Sequence, residues 1–195
     1  MTKNTKVIIY DLERQYDDLI ASKCDHALAA DGKYAPCQGC FGCWTKHPAE
    51  CFMKDKLQQV CRIIGQADEM VIVTKNLYGG YSAAVKNVMD RAIGSSTPFS
   101  TYRGKQMHHT LRYGKHDLLK VIVYGDITEA EKNTFRYLAE RNAVNEGHAR
   151  SEVATEIIYR RQKGQRKTAQ SGGSCPHPRS AEGRAGSRVL PPAVC

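Results

Sequence analysis

Four of the eight cysteines lie within fifteen residues: three in Cys37-Gln38-Gly39-Cys40-Phe41-Gly42-Cys43-Trp44, then Cys51. The spacing is C-x2-C-x2-C-x7-C. Three thiolates two residues apart can wrap one corner of a cubane cluster, and a nearby fourth can complete the ligation. Four thiolates can equally hold a structural zinc. The third alternative has no metal: a turn of free, partly buried thiols packed round Trp44 beside a ligand pocket. The spacing leaves all three open, with Cys37, Cys40, Cys43 and Cys51 as the candidate ligands.

A second group of residues suits a flat, electron-rich ligand. Thr74-Lys75-Asn76-Leu77-Tyr78-Gly79-Gly80-Tyr81-Ser82 follows an apolar run. Its glycines let the backbone approach such a ligand, and its tyrosines can stack on one. Backbone N–H groups at the start of a following helix favour a negative or electron-rich group. Tyr124-Gly125-Asp126 leaves another apolar run in the same way. The plainer reading is two ordinary βα turns. His108, His109, Arg112 and Tyr113 lie in a stretch without period, readable as a lid over substrate or cofactor phosphate, or as a solvated polar loop. No Ser-His-Asp or Cys-His arrangement can be located.

The elements that would position these groups alternate. Strands are expected at Lys6–Tyr10, His26–Ala30, Met70–Val73, Leu118–Tyr124 and Val153–Tyr159. A weak helix is expected over Arg14–Lys23. Another follows Asp55, read as an N-cap with Gln58 three residues on. Leu57, Val60, Cys61 and Ile64 give that helix one apolar face. A third begins at Ser82 with Val85, Val88, Met89, Ala92 and Ile93 inward. A fourth begins at the capping box Thr128–Glu131. Ser95–Asp117 reads as one long loop. Strands alternating with helices imply an α/β domain with a mostly parallel sheet covered on both faces.

The net charge of +9 is uneven. Arg160–Cys195 holds eight Lys or Arg and one Glu, leaving +2 for the rest. A nucleic-acid partner would need a basic face on a folded body, and none is expected. The chain therefore divides into a domain over residues 1–159 and a basic Gly/Pro/Arg-rich tail over 160–195, expected to be disordered. No apolar run reaches the roughly 20 residues of a membrane helix, so no membrane partner is expected. The N-terminus carries no apolar leader, which points to the cytoplasm.

The pattern strand-T-x-x-x-Y-x-x-x-S-x-x-x-K-x-x-x-D-R resembles the NAD(P)H-dependent FMN reductase and multimeric flavodoxin families. Thr74, Tyr78, Ser82, Lys86, Asp90 and Arg91 carry it. Pro36–Trp44 is similar to a branch of those families, the iron–sulfur flavoproteins, with their four-cysteine ligand set. The resemblance covers Lys6–Tyr159. It implies a flavodoxin-like fold, a doubly wound five-stranded parallel sheet in three layers, with FMN over the strand ends. The loop matching Asn76–Gly80 would lie along the isoalloxazine ring, with Tyr124–Asp126 nearby. The expected cofactor-binding residues are thus Asn76, Leu77, Tyr78, Gly79, Ser82, Tyr124, Gly125 and Asp126. Hydride would pass from NAD(P)H to the flavin and on to a small-molecule or protein electron acceptor. A [4Fe–4S] cluster on the four cysteines is the added possibility of the iron–sulfur branch.

Two departures stand out. The families hold the FMN phosphate in a Ser/Thr/Asn-rich loop after the first strand. Here that segment is Asp11-Leu12-Glu13-Arg14, whose carboxylates repel a phosphate. The phosphate would then fall to Arg14, Arg112 or a partner subunit, or FMN binding would be weak or lost. The families also close with a helix where this chain has its tail. An open apolar face favours association, so a homo-oligomer is expected. The alternatives to a flavin enzyme are an iron–sulfur electron carrier and a non-catalytic module of the same fold.

Overall fold

A computed structural model describes residues 4–156. The tail over 160–195, and the end of the last expected strand, lie outside the described residues.

Five strands form one parallel sheet: β1 (Lys6–Tyr10), β2 (His26–Ala29), β3 (Glu69–Lys75), β6 (His116–Tyr124) and β7 (His148–Glu156), in the order β2-β1-β3-β6-β7. This is the doubly wound, flavodoxin-like order. The central strands read as continuous apolar runs because both of their faces are covered. In β3, Met70 through Thr74 are all buried.

Alternate side chains feed two cores. Val7, Ile9, Met70, Ile72, Leu119, Val121 and Val123 face one side. There they meet α2 (Val60–Gly65), α3 (Ala83–Arg91) and α4 (Glu129–Glu146). Ile8, Tyr10, Val71, Val73 and Tyr124 face the other, against Ile20 of α1 (Asp17–Ala21). The result is three layers, as expected.

Three expectations need correction. Ser95–Asp117 is not a loop. It holds an antiparallel hairpin of β4 (Ser96–Arg103) and β5 (Gln106–Leu111). Asp55 does not cap α2, which starts at Val60 behind Gln59, a residue making no side-chain cap bond. The Asp55 carboxylate instead faces Arg91. The strand expected at Val153 starts at His148, five residues earlier in the chain, immediately after the Gly147 turn.

The capping box of α4 is present. Thr128 Oγ1 accepts from the Glu131 amide, and the Glu131 carboxylate accepts from the Thr128 amide at 2.8 Å. Gly147, at φ 84°, ends the helix in the left-handed region and turns the chain into β7. Thr128→Ala is expected to lower stability by about 1 kcal/mol, measured as a fall in the urea midpoint with an unchanged slope.

Candidate functional site

In open α/β sheets, ligands gather beyond the carboxyl ends of the strands, where the strand order reverses. Here that place lies between β1 and β3. The chain leaves β1 towards α1 on one face and leaves β3 towards α3 on the other.

The turn after β3 is fixed by its own bonds. The Asn76 amide donates to the Tyr124 carbonyl at 2.9 Å. Its side-chain Nδ2 donates to the Asp126 carbonyl at 2.7 Å, and its Oδ1 accepts from the Gly79 amide at 3.0 Å. Asn76 thus clasps the β3 turn to the β6 turn. Leu77 and Gly80 exchange backbone bonds at 3.0 and 3.1 Å, closing a tight loop. Its tip is Tyr78, 88% exposed and left-handed at φ 53°. Gly79 follows at φ 78°, and a Cβ there would stand about 3.0 Å from Thr134 and 3.1 Å from the Glu131 backbone. Ser82 then caps α3, its hydroxyl accepting from the Val85 amide.

Of the residues expected here, Asn76, Leu77, Tyr78 and Gly79 form the loop, and Gly125 and Asp126 lie beside it through Asn76. Tyr124 and Ser82 are placed differently. The Tyr124 ring is buried in the second core, and its hydroxyl donates to the Asp11 carbonyl. The Ser82 hydroxyl is engaged with its helix. Tyr81 is buried edge-on to Phe135 and is a packing residue.

The first βα turn has the opposite character. The Asp11 carboxylate accepts from the Lys75 amide at 3.1 and 3.2 Å and lies 3.4 Å from the Thr74 hydroxyl. It therefore seals β1 to β3 at the switch point, a role invisible in the sequence. Glu13 accepts from Gln15, and Asp17 accepts from the Tyr10 hydroxyl at 2.8 Å. Burial, reinforced by Asp17, pushes the Tyr10 hydroxyl up to about 12. The turn offers carboxylates where a phosphate needs donors.

Arg112 does not supply those donors. Its Nε donates to the Gly94 carbonyl and its Nη2 to the Ser96 carbonyl, so it anchors the base of the hairpin. His108 and His109 form no lid. His109 packs on the Trp44 ring at 4.6 Å, and His108 contacts Asn145 at 3.3 Å.

The cysteine segment folds as a turn packed round Trp44. Cys37 and Cys40 are exposed, whereas Cys43 and Cys51 are buried. Among the described residues, no group of three or more Cys, His, Asp or Glu is disposed to hold a metal ion. The reason is the fold of the segment over Trp44. Phe41 stacks on that ring at 5.0 Å, and the indole Nε1 donates to the Ile93 carbonyl at 2.9 Å. This turns Cys43 inward, to the buried Cys61 of α2. The four expected ligands still edge one small cleft with Phe52, Met53 and Arg91.

Residues 21–110 match the model of the NADPH-dependent FMN reductase family. The matched range takes in the cysteine segment and the β3 loop and leaves out the Asp11 turn. No curated protein matches the chain. Among solved structures, it is similar to an FMN-dependent NADH-azoreductase from Bacillus anthracis in complex with FMN. That likeness has 12% identity and a TM-score of 0.47, covering 77% of this chain and 86% of the other. It is also similar to an NAD(P)H:quinone oxidoreductase from Methanothermobacter marburgensis, at 13% identity and TM-score 0.45, covering 80% and 86%. Among the described residues, no helix is long and apolar enough to cross a membrane.

Proposed function

We propose that this chain is a flavin-dependent oxidoreductase of the NADPH-dependent FMN reductase type, passing electrons from NAD(P)H to a small-molecule or protein acceptor. The observation that carries the reading is the clasp of Asn76 between the two strand-end turns. It presents Leu77 and Tyr78 as an exposed ledge at the β3 end, with Gly79 buried against the start of α4. The family match over the same residues supports it.

These residues fit an isoalloxazine ring. Leu77 and Tyr78 supply apolar and aromatic surface, and Asn76, Gly125 and Asp126 supply backbone groups at its edge. When bound, the flavin supplies the hydride and electron chemistry. The protein's task is to hold the ring and limit water around it. The first turn does not fit the phosphate of FMN, since Asp11, Glu13 and Asp17 stand there. Self-association into a homo-oligomer belongs to the same proposal, supported by Phe99, Tyr102 and Met107, at 73, 75 and 66% exposure on the hairpin.

The test is a spectroscopic titration of the full chain with FMN and with riboflavin, followed by NAD(P)H oxidation. Both flavins are expected to bind, with dissociation constants within about tenfold of each other, because the phosphate adds little. A chain that refuses both at high micromolar concentration, and oxidises no nicotinamide, loses this reading. That outcome would favour a non-catalytic module, a second reading that the Asp11 seal supports.

A further inference from the structure

We propose that Cys43 and Cys61 form a thiol–disulfide exchange site, open through the cleft beside Arg91 to a low-molecular-weight disulfide. The inference does not depend on flavin binding.

The geometry is that of a paired dithiol. Cys61 is fully buried on α2, and its thiol donates to the Arg91 carbonyl at 3.1 Å. The Cys43 sulfur lies in the same core, beside the same glycine, Gly94. Gly94 makes the pairing possible. A Cβ at that position would stand 2.9 Å from the Cys61 sulfur and 3.1 Å from the Cys43 sulfur. Both sulfurs therefore crowd a space that only glycine leaves free. Of the two, only Cys43 edges the cleft.

The division of labour follows from the surroundings. The neighbouring Cys61 lowers the Cys43 thiol against the cost of burial, and Arg112 and Arg91 add positive charge. A thiol so placed is the better nucleophile. Cys61 is pushed the other way, by the neighbouring Cys43 and by burial. It is suited to act second, on a disulfide already formed at Cys43.

The exchange balances without a metal. Cys43 thiolate attacks one sulfur of the small disulfide RSSR, forming the Cys43–SR mixed disulfide and releasing one thiolate. The released thiolate takes up the proton lost by Cys43; Cys61 then attacks the Cys43 sulfur and releases the second thiolate, which takes up the Cys61 proton. The protein dithiol is oxidised to a Cys43–Cys61 disulfide, and RSSR is reduced to two RSH. The two sulfurs close to a bond of about 2.05 Å.

Oxidised glutathione is the probe. The reduced full chain would be incubated with it under nitrogen, blocked with N-ethylmaleimide, digested and mapped. The expected product is a Cys43–Cys61 disulfide, with the intact chain lighter by two hydrogens. Cys61→Ser should trap the intermediate, raising glutathionyl occupancy at Cys43 at least about tenfold over wild type. The exposed Cys37 and Cys40 serve as internal references. A wild-type map in which Cys43 and Cys61 stay free while Cys37 or Cys40 is modified overturns the proposal. So does a Cys43–Cys51 bridge. The wild-type map decides alone should the serine variant fail to fold.

Discussion

Arg91→Ala is expected to cost about 3–5 kcal/mol of stability, enough to leave much of the chain unfolded. The Arg91 side chain is 1% exposed at the end of α3. Its Nη1 donates to Asp55 Oδ2 and to the Ala35 carbonyl, each at 2.8 Å, and its Nη2 donates to Asp55 Oδ1 at 2.9 Å. Asp55 in turn accepts from the Ala35 and Leu57 amides. One guanidinium thus ties the segment between β2 and α2 to the helix that follows the ledge. Truncation leaves the partly exposed Asp55 carboxylate without its guanidinium partner and the Ala35 carbonyl without its donor. Thermal and urea melts of Arg91→Ala against wild type check the size of the loss. A midpoint within a degree of wild type would show that the pair contributes little.

The same pair has an acid signature. Arg91 holds the Asp55 carboxyl down to about 2. A depressed carboxylate stabilises the fold above its unfolded value, near 4, and that contribution drains away as pH falls through about 2. Asp55→Asn should therefore be less stable than wild type at neutral pH. It should also lose less than wild type between pH 4 and pH 2, measured by urea unfolding at each pH.

Gly79→Val is expected to weaken flavin binding at least tenfold while most of the fold survives. A β-branched residue at φ 78° is strained by about 1–2 kcal/mol, and its Cβ meets Thr134 and the backbone of Glu131 at the start of α4. The ledge must shift, and the Asn76 clasp with it. Gly80→Ala is the control. Its Cβ would find only the Leu77 carbonyl at 3.5 Å, an ordinary contact. Equal losses in the two variants would place the flavin elsewhere.

Much of this arrangement was legible in the sequence, and the exceptions share a cause. The β-branched run at Met70–Val73 and the Thr128–Glu131 box are local patterns, and local patterns survive into the fold. The hairpin was not legible because β4 and β5 bury little. Phe99 and Tyr102 point to solvent, so no alternation of apolar and polar residues marks the strands. Asp55 looked like a cap because its partner is 36 residues away. Cys61 looked like one more apolar helix position, and only the fold sets it against Cys43. The Asp11 seal is of the same kind, since its donor, the Lys75 amide, lies 64 residues on. The turn after β3 was legible because its glycines and tyrosines are contiguous.

The strand order also carries a kinetic consequence. Residues paired between β6 and β7, such as His116 and His148, are about 32 apart in the chain, and a long, well-capped helix fills the connection. β1 and β3 meet only after the chain has closed a loop of about 63 residues, much of it the irregular cysteine segment. Loop-closure entropy has to be met before non-local contacts return anything. The β6-α4-β7 unit should therefore gain protection early in refolding. The β1–β3 seam, and with it the ledge and the Asp11 seal, should be among the last parts to acquire slow amide exchange.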